Sequence, residues 1–376
     1  MSRLSQLREC GQSYWLDNLT RAMLRNGELQ GRIRDQGLSG VTANPTTFGA
    51  ALASGDYDAD IRRLAREGCS TDDIYEKLLV GDVQEACDLL FDVHQATARL
   101  DGYVSLEVSP HLAHDTVGTV REARRFRDLV DRSNLFIKVP GTMAGFLAIQ
   151  QLIYEGISVN VTLLFSLPSY EAVMEAFLSG LERRSAERRS LRDVTSVASF
   201  FLSRIDRLAD QLLSQRDRPS EGRALSTRLR AKAAVASAKL AYRSFRRAFS
   251  GERWDRLAVK GAAVQRPLWA STGTKDPSYR DVFYVESVIG RDTIVTMPEQ
   301  TIKAFEDHGE AKPNAVAQGV EEAARTIQDF ADSGIDMHCV AWQLEHEGIK
   351  QFTDAFDRAH RDIEEKRRLA SEPAAA

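Results

Sequence analysis

Short apolar runs alternate with amphipathic stretches along most of the chain. Eight runs rich in branched or aromatic residues read as strands, at 13–16, 40–43, 103–108, 135–139, 158–161, 194–201, 267–271 and 293–296. Several end in Pro, Asn, Ser or Thr, residues that turn the chain. Between the runs, segments such as 119–132 and 315–333 carry apolar residues three and four apart, the spacing of a helix with one buried face. Strands and helices alternating in this way imply a parallel sheet. Eight such units, with strands apolar on both faces, predict an α/β fold: a single closed (β/α)8 TIM barrel with additional helices. An open doubly wound sheet is the rival arrangement.

Length and composition narrow this picture. A chain of 376 residues exceeds the usual domain size, but no fixed-period repeat and no Pro- or Gly/Ser-rich linker divides it. One barrel over residues 1–366 is expected, with a frayed tail at 367–376. The most polar stretches are 182–193, 214–232 and 358–368. The block Glu-Arg-Arg-Ser-Ala-Glu-Arg-Arg within the first mixes charges at helical spacing and reads as a solvated face, not a phosphate patch. With 50 basic and 54 acidic residues the net charge is −4, which argues against a nucleic-acid partner. No apolar run reaches membrane-spanning length, and the N-terminus lacks a secretory pattern, so a cytoplasmic location is expected. The four cysteines, Cys10, Cys69, Cys87 and Cys339, form no C-x-x-C pair.

The chemical signal lies where the expected strands stop. Lys138 interrupts the run Leu-Phe-Ile-Lys-Val-Pro, where burial would favour its neutral amine and make it a Schiff-base nucleophile. A lysine guarding a sheet edge is the other reading; the Pro-Gly-Thr loop that follows favours the first. Glu107 and Asp17 end two further runs and are either acid–base groups at a barrel mouth or ordinary caps and ion-pair partners. Asn44 sits in an Asn-Pro turn, and Asn160 and Thr162, two apart, share a face of an extended segment. After the sixth and seventh runs come Ser199, Phe201 and Arg204, then Ser271 and Lys275, in the late loops where barrels often bind phosphate. His111 and His114 form an H-x-x-H in an irregular segment, a poor metal site without a third ligand. No P-loop, nucleophile elbow or dinucleotide fingerprint occurs.

Taken together, these segments resemble the transaldolase family. Thr-Ala-Asn-Pro-Thr at 42–46, Phe-Ile-Lys-Val-Pro at 136–140 and Asn-Val-Thr-Leu-Leu-Phe-Ser at 160–166 are similar to its signature segments, in its order, and the likeness runs from about residue 17 to 356. The resemblance implies a TIM barrel with the Schiff-base lysine on the fourth strand, where Lys138 falls. It implies that Glu107 and Thr162 move protons through a trapped water, and that Asp17 is the acid–base group at the breaking carbon–carbon bond. Asn44 and Asn160 would hold hydroxyls of the three-carbon unit, and Ser199, Phe201 and Arg204 would line the phosphate end. One segment departs: the family's Ser-x-Arg after the seventh strand is here Ser271-Thr272-Gly273, leaving Lys275 as the nearest cation, a point charge without a bidentate fork.

The implied reaction moves a dihydroxyacetone unit from sedoheptulose 7-phosphate to glyceraldehyde 3-phosphate, giving erythrose 4-phosphate and fructose 6-phosphate, as in the pentose phosphate pathway. No metal or organic cofactor is implied, because the imine is itself the electron sink. The expected partners are phosphorylated ketoses and aldoses, and the chain is expected to be a monomer or homodimer. Two alternatives stand: a fructose 6-phosphate aldolase-like lyase releasing free dihydroxyacetone, and a sugar-phosphate-binding barrel without catalysis.

Overall fold

The structure, a computed structural model, describes residues 2–216 and 227–371. Eight parallel strands close into a barrel in chain order: β1 (Gln12–Leu16), β2 (Gly40–Thr42), β3 (Tyr103–Glu107), β4 (Leu135–Pro140), β5 (Val159–Leu164), β6 (Ser196–Phe201), β7 (Arg266–Ala270) and β8 (Thr293–Met297). Closure is made by β1, which pairs with β2 on one side and with β8 on the other. The open doubly wound alternative is thereby excluded. All eight strands overlap the runs expected from hydrophobicity, and nearly every strand residue is buried, because the barrel lumen takes one face and the helical ring the other.

The strand ends differ from expectation in an instructive way. β5 runs three residues farther than its apolar pattern suggested, through a register shift between Val161 and Leu164. Leu163 takes a left-handed backbone (φ 61°), which ends the strict alternation just after Thr162. β6 begins at Ser196, not at residue 194. The helix expected at 119–132 is Thr116–Val130, stopped by Asp131 in the left-handed region. The stretch 315–333 is not one helix: a 3-10 turn, Ala315–Ala317, precedes the helix Val320–Asp332, and Gly319 between them adopts φ 66°. Apolar spacing alone does not register that break, since glycine supplies it through the backbone.

The polar stretches are also redistributed. The helix Leu167–Ala186 takes in the first half of 182–193 with its charges outward. Part of 214–232 lies outside the described residues. The supposed tail starts inside a 35-residue helix, Met337–Ser371, where Arg367 pairs with Glu364 one turn earlier and Lys366 reaches Asp58 and the Leu52 carbonyl. Residues 372–376 lie outside the described residues. No helix among the described residues is long and apolar enough to cross a membrane.

At the N-terminal floor of the barrel, Trp15 is fully buried and leaves no room for a side chain at position 40 of the neighbouring strand. A Cβ on Gly40 would fall 2.3 Å from the indole ring. Behind it, Tyr103 and Phe136 stack with ring centroids 4.1 Å apart. This closed floor leaves the opposite end of the lumen as the place for chemistry.

Candidate active site

A cavity of about 470 Å3 opens at the C-terminal ends of the strands. Register brings its deepest groups together: Glu107 of β3 lies beside Lys138 of β4, and Lys138 beside Asn160 of β5. Because side chains alternate along a strand, these three register partners share the lumen face. Lys138 is 4% exposed. Its Nζ lies 3.0 Å from Glu107 Oε2 and donates to the Ala43 carbonyl at 3.3 Å. The edge-strand reading of Lys138 is excluded, since β4 is flanked by β3 and β5.

The electrostatics around this pair are unusual. Burial pushes the Glu107 carboxyl above the usual carboxylate range; the Lys138 ammonium works against that and the Asp17 charge adds to it. Thr162 Oγ1 is buried in the same region with no hydrogen-bond partner among the described residues. An unpartnered hydroxyl in a polar cavity is a group positioned for a ligand or a solvent molecule. Asp17, just past β1, accepts a 3.0 Å hydrogen bond from Thr42 of β2, which fixes its carboxylate at the mouth.

The asparagines are held by different means. Asn160 donates to Ser105 Oγ (3.0 Å) and accepts from Ser199 Oγ (2.7 Å), forming a chain across β3, β5 and β6. Asn44 caps the helix Pro45–Ala53: its Oδ1 accepts from the backbone of Thr46 and Thr47. The capping oxygen is committed to the helix, and the residue also borders the cavity. At the far end, Phe201, Arg204, Ser271 and Lys275 line the cavity, and Ser203 and Ser271 share a 2.8 Å hydroxyl contact that ties the β6 and β7 loops together. Of the residues singled out in the sequence, Glu107 and Asn160 touch the site through Lys138 and Ser199, and the others form its wall.

A profile of the family described as transaldolase/fructose-6-phosphate aldolase matches residues 14–363. The chain is 45% identical to a protein named transaldolase 2 from Nostoc sp., over 99% of both chains. It is 48% identical to a transaldolase from Thiobacillus denitrificans, over 92% of this chain and 95% of that one, and 44% identical to one from Parafrankia sp. over 96% and 97%. The chain belongs to the transaldolase/fructose-6-phosphate aldolase family.

Within this family member, several wall residues escaped sequence reasoning. The helix Met337–Ser371 crosses the mouth and contributes Gln351 and Phe352, the latter buried with its ring centroid 5.8 Å from Lys138 Nζ. No strand-end rule points to residues two hundred positions downstream of the lysine. Arg207 was missed too, although its place three residues after Arg204 on a helix was a usable signal. His111 pairs with Asp357 at 2.8 Å, and no group of three or more His, Cys, Asp or Glu among the described residues could hold a metal ion.

Proposed function

We propose that this protein is a transaldolase that transfers a dihydroxyacetone unit between phosphorylated sugars through an imine on Lys138. The observation that carries the reading is the buried Lys138–Glu107 pair at the base of a cavity whose far wall holds Arg204, Arg207 and Lys275. Lys138 must lose a proton before it can attack a carbonyl. Glu107, 3.0 Å away with its affinity for protons raised by burial, is placed to take it, giving a neutral amine and a neutral acid. The amine adds to the ketose C2 carbonyl, and the Glu107 acid then returns a proton to the departing hydroxyl, with Thr162 Oγ1 as the hydroxyl that relays it.

Asp17 takes the proton of the C4 hydroxyl as the C3–C4 bond breaks, and the electron pair passes into the iminium to give an enamine. The first aldehyde leaves, the enamine carbon attacks the second, and Asp17 returns the proton to the new alkoxide; water then adds to the iminium and the C–N bond breaks, freeing the new ketose and Lys138. Asn44 and Asn160 hold hydroxyls of the three-carbon unit. Ser199 orients Asn160, Phe201 closes the apolar side, and Arg204, Ser271 and Lys275 receive the phosphate end. Phe352 and the aromatic wall limit solvent around the enamine, which favours transfer over release of free dihydroxyacetone. Sedoheptulose 7-phosphate and glyceraldehyde 3-phosphate are the substrates of this reading, in the cytoplasmic pentose phosphate pathway.

The test is the mass of the intact protein after incubation with fructose 6-phosphate and borohydride, followed by peptide mapping. A reduced three-carbon adduct on Lys138, together with acceptor-dependent turnover, is expected. Free dihydroxyacetone as the main product would mean a lyase, and absence of any adduct with ligand binding intact would leave only a binding barrel.

A further inference from the structure

The far wall of the cavity carries more positive charge than the protein neutralises. Arg204 makes no hydrogen bond and no ion pair with the described residues; its guanidinium lies 5.4 Å from the Phe201 ring. Arg207 follows three residues later on the helix Ser203–Arg216, so the two side chains rise from one helix face, and both line the cavity. Like charges at this spacing repel, and burial together with the Arg207 charge lowers the proton affinity of Arg204. Among the described residues, the carboxylate that pairs with Arg207 is Glu347 of the C-terminal helix, at 3.7 Å, beyond hydrogen-bond range. The N–H donors of Arg207 are thus uncommitted among the described residues. Ser203 and Ser271 place two hydroxyls in the same wall.

Lys275 is the rival cation. It lies in the exposed loop after β7 and, like Arg207, lines both this cavity and a neighbouring one that contains Asp206, Asp210 and Asp276. A flexible point charge there offers neither the fork nor the fixed base that a guanidinium on a helix offers a phosphate.

We infer that Arg207 is the second guanidinium of the phosphate subsite, acting with Arg204 from the helix after β6, and that it, more than Lys275, sets the preference for phosphorylated over unphosphorylated ketoses. This inference rests on the transaldolase reading of the site. Glu347 then competes with the phosphate for Arg207, and its neutral variant tightens binding of phosphorylated substrate.

Steady-state kinetics of the parent, Arg207→Ala, Lys275→Ala and Glu347→Gln with fructose 6-phosphate and with fructose, using unphosphorylated glyceraldehyde as acceptor, test it. Binding of inorganic phosphate is followed by calorimetry in the same proteins. Arg207→Ala is expected to raise KM for fructose 6-phosphate and Kd for inorganic phosphate about tenfold or more, with kcat and the reaction of fructose nearly unchanged. Lys275→Ala should raise both by a smaller factor than Arg207→Ala does, and Glu347→Gln should lower both. Equal losses on fructose and fructose 6-phosphate, an unchanged KM in Arg207→Ala, or a larger effect from Lys275→Ala would overturn it. A rise in KM in Glu347→Gln matching that of Arg207→Ala would reduce Arg207 to a structural partner of the C-terminal helix. If the parent traps no adduct with borohydride, the transaldolase reading fails by itself, and the phosphate Kd values still decide whether Arg207 binds the anion.

Discussion

Each end of the barrel buries a cation against a carboxylate, and the two pairs are built differently. At the floor, Arg266 donates to the carbonyls of Leu100 and Thr293, to Asp101 and to Ser13, while Asp101 also accepts from Ser13 and from the Trp15 indole. At the mouth, Lys138 has one carbonyl and one carboxylate, and Thr162 Oγ1 nearby has no partner among the described residues. A buried charge tied by several hydrogen bonds is locked, since moving its proton or its partner would strand several groups. A buried charge with capacity to spare can exchange a proton and accept a substrate. Similar residue types are therefore tied down in one place and left with capacity to spare in the other, and the number of hydrogen bonds made is the difference.

The largest effect expected from this contrast is at Lys138. Lys138→Met should abolish borohydride-trapped adduct and lower turnover by several orders of magnitude. Its cost to stability should be only about 1–2 kcal/mol, because Glu107 can neutralise itself by binding a proton. Loss of folding in this variant, seen in denaturant titration, would break the comparison from the mouth side. Arg266→Met should do the reverse, destabilising the protein by about 3–5 kcal/mol by leaving Asp101 without its cation, while adduct formation per folded molecule stays within a few-fold of the parent. A catalytic loss without a stability loss would show that the floor is not a passive clamp.

Thr162→Val probes the spare hydroxyl. Imine formation in rapid-quench trapping should slow about 100-fold, with stability unchanged or slightly higher, since no hydrogen bond is lost. Parental trapping rates would remove Thr162 from the proton relay.

The smallest effect concerns Asp206, a buried carboxylate that accepts from the Ala234 backbone (2.8 Å) and the Tyr284 hydroxyl (2.9 Å), and whose pKa burial raises to about 7. Between the ordinary carboxylate range and about pH 7 the folded state holds a proton there that the unfolded state has released. Its contribution therefore falls as pH rises, by at most about 1.4 kcal/mol per pH unit, and the loss stops above about 7. Stability measured from pH 5 to 8 should show this slope in the parent relative to Asp206→Asn. Parallel curves would mean that Asp206 is ionised throughout, a saturated group like those at the floor.

How much of this was legible beforehand follows from the range of the interactions. The run containing Lys138 and the spacing of Asn160 and Thr162 carried local information, because a strand displays its own alternation within a few residues. The exact end of β5 was not legible, since it depends on a register shift against β6 and on Leu163 in a left-handed conformation. The proline after Asn44 announced a turn, yet nothing local announced that the turn is a helix cap or that the same residue borders the cavity.

By itself, the order of apolar runs determined the number and sequence of strands, and the polar residues at their ends marked most of one cavity wall. Those signals are local, set by side-chain period and turn preference. Only the tertiary structure decided that β1 pairs with β8, that Glu107 lies against Lys138 and that the helix Met337–Ser371 brings Phe352 and Glu347 over the mouth. Closure, register and the docking of a distant helix depend on contacts between residues far apart in the chain, and a periodic pattern carries no record of which distant partner it will meet.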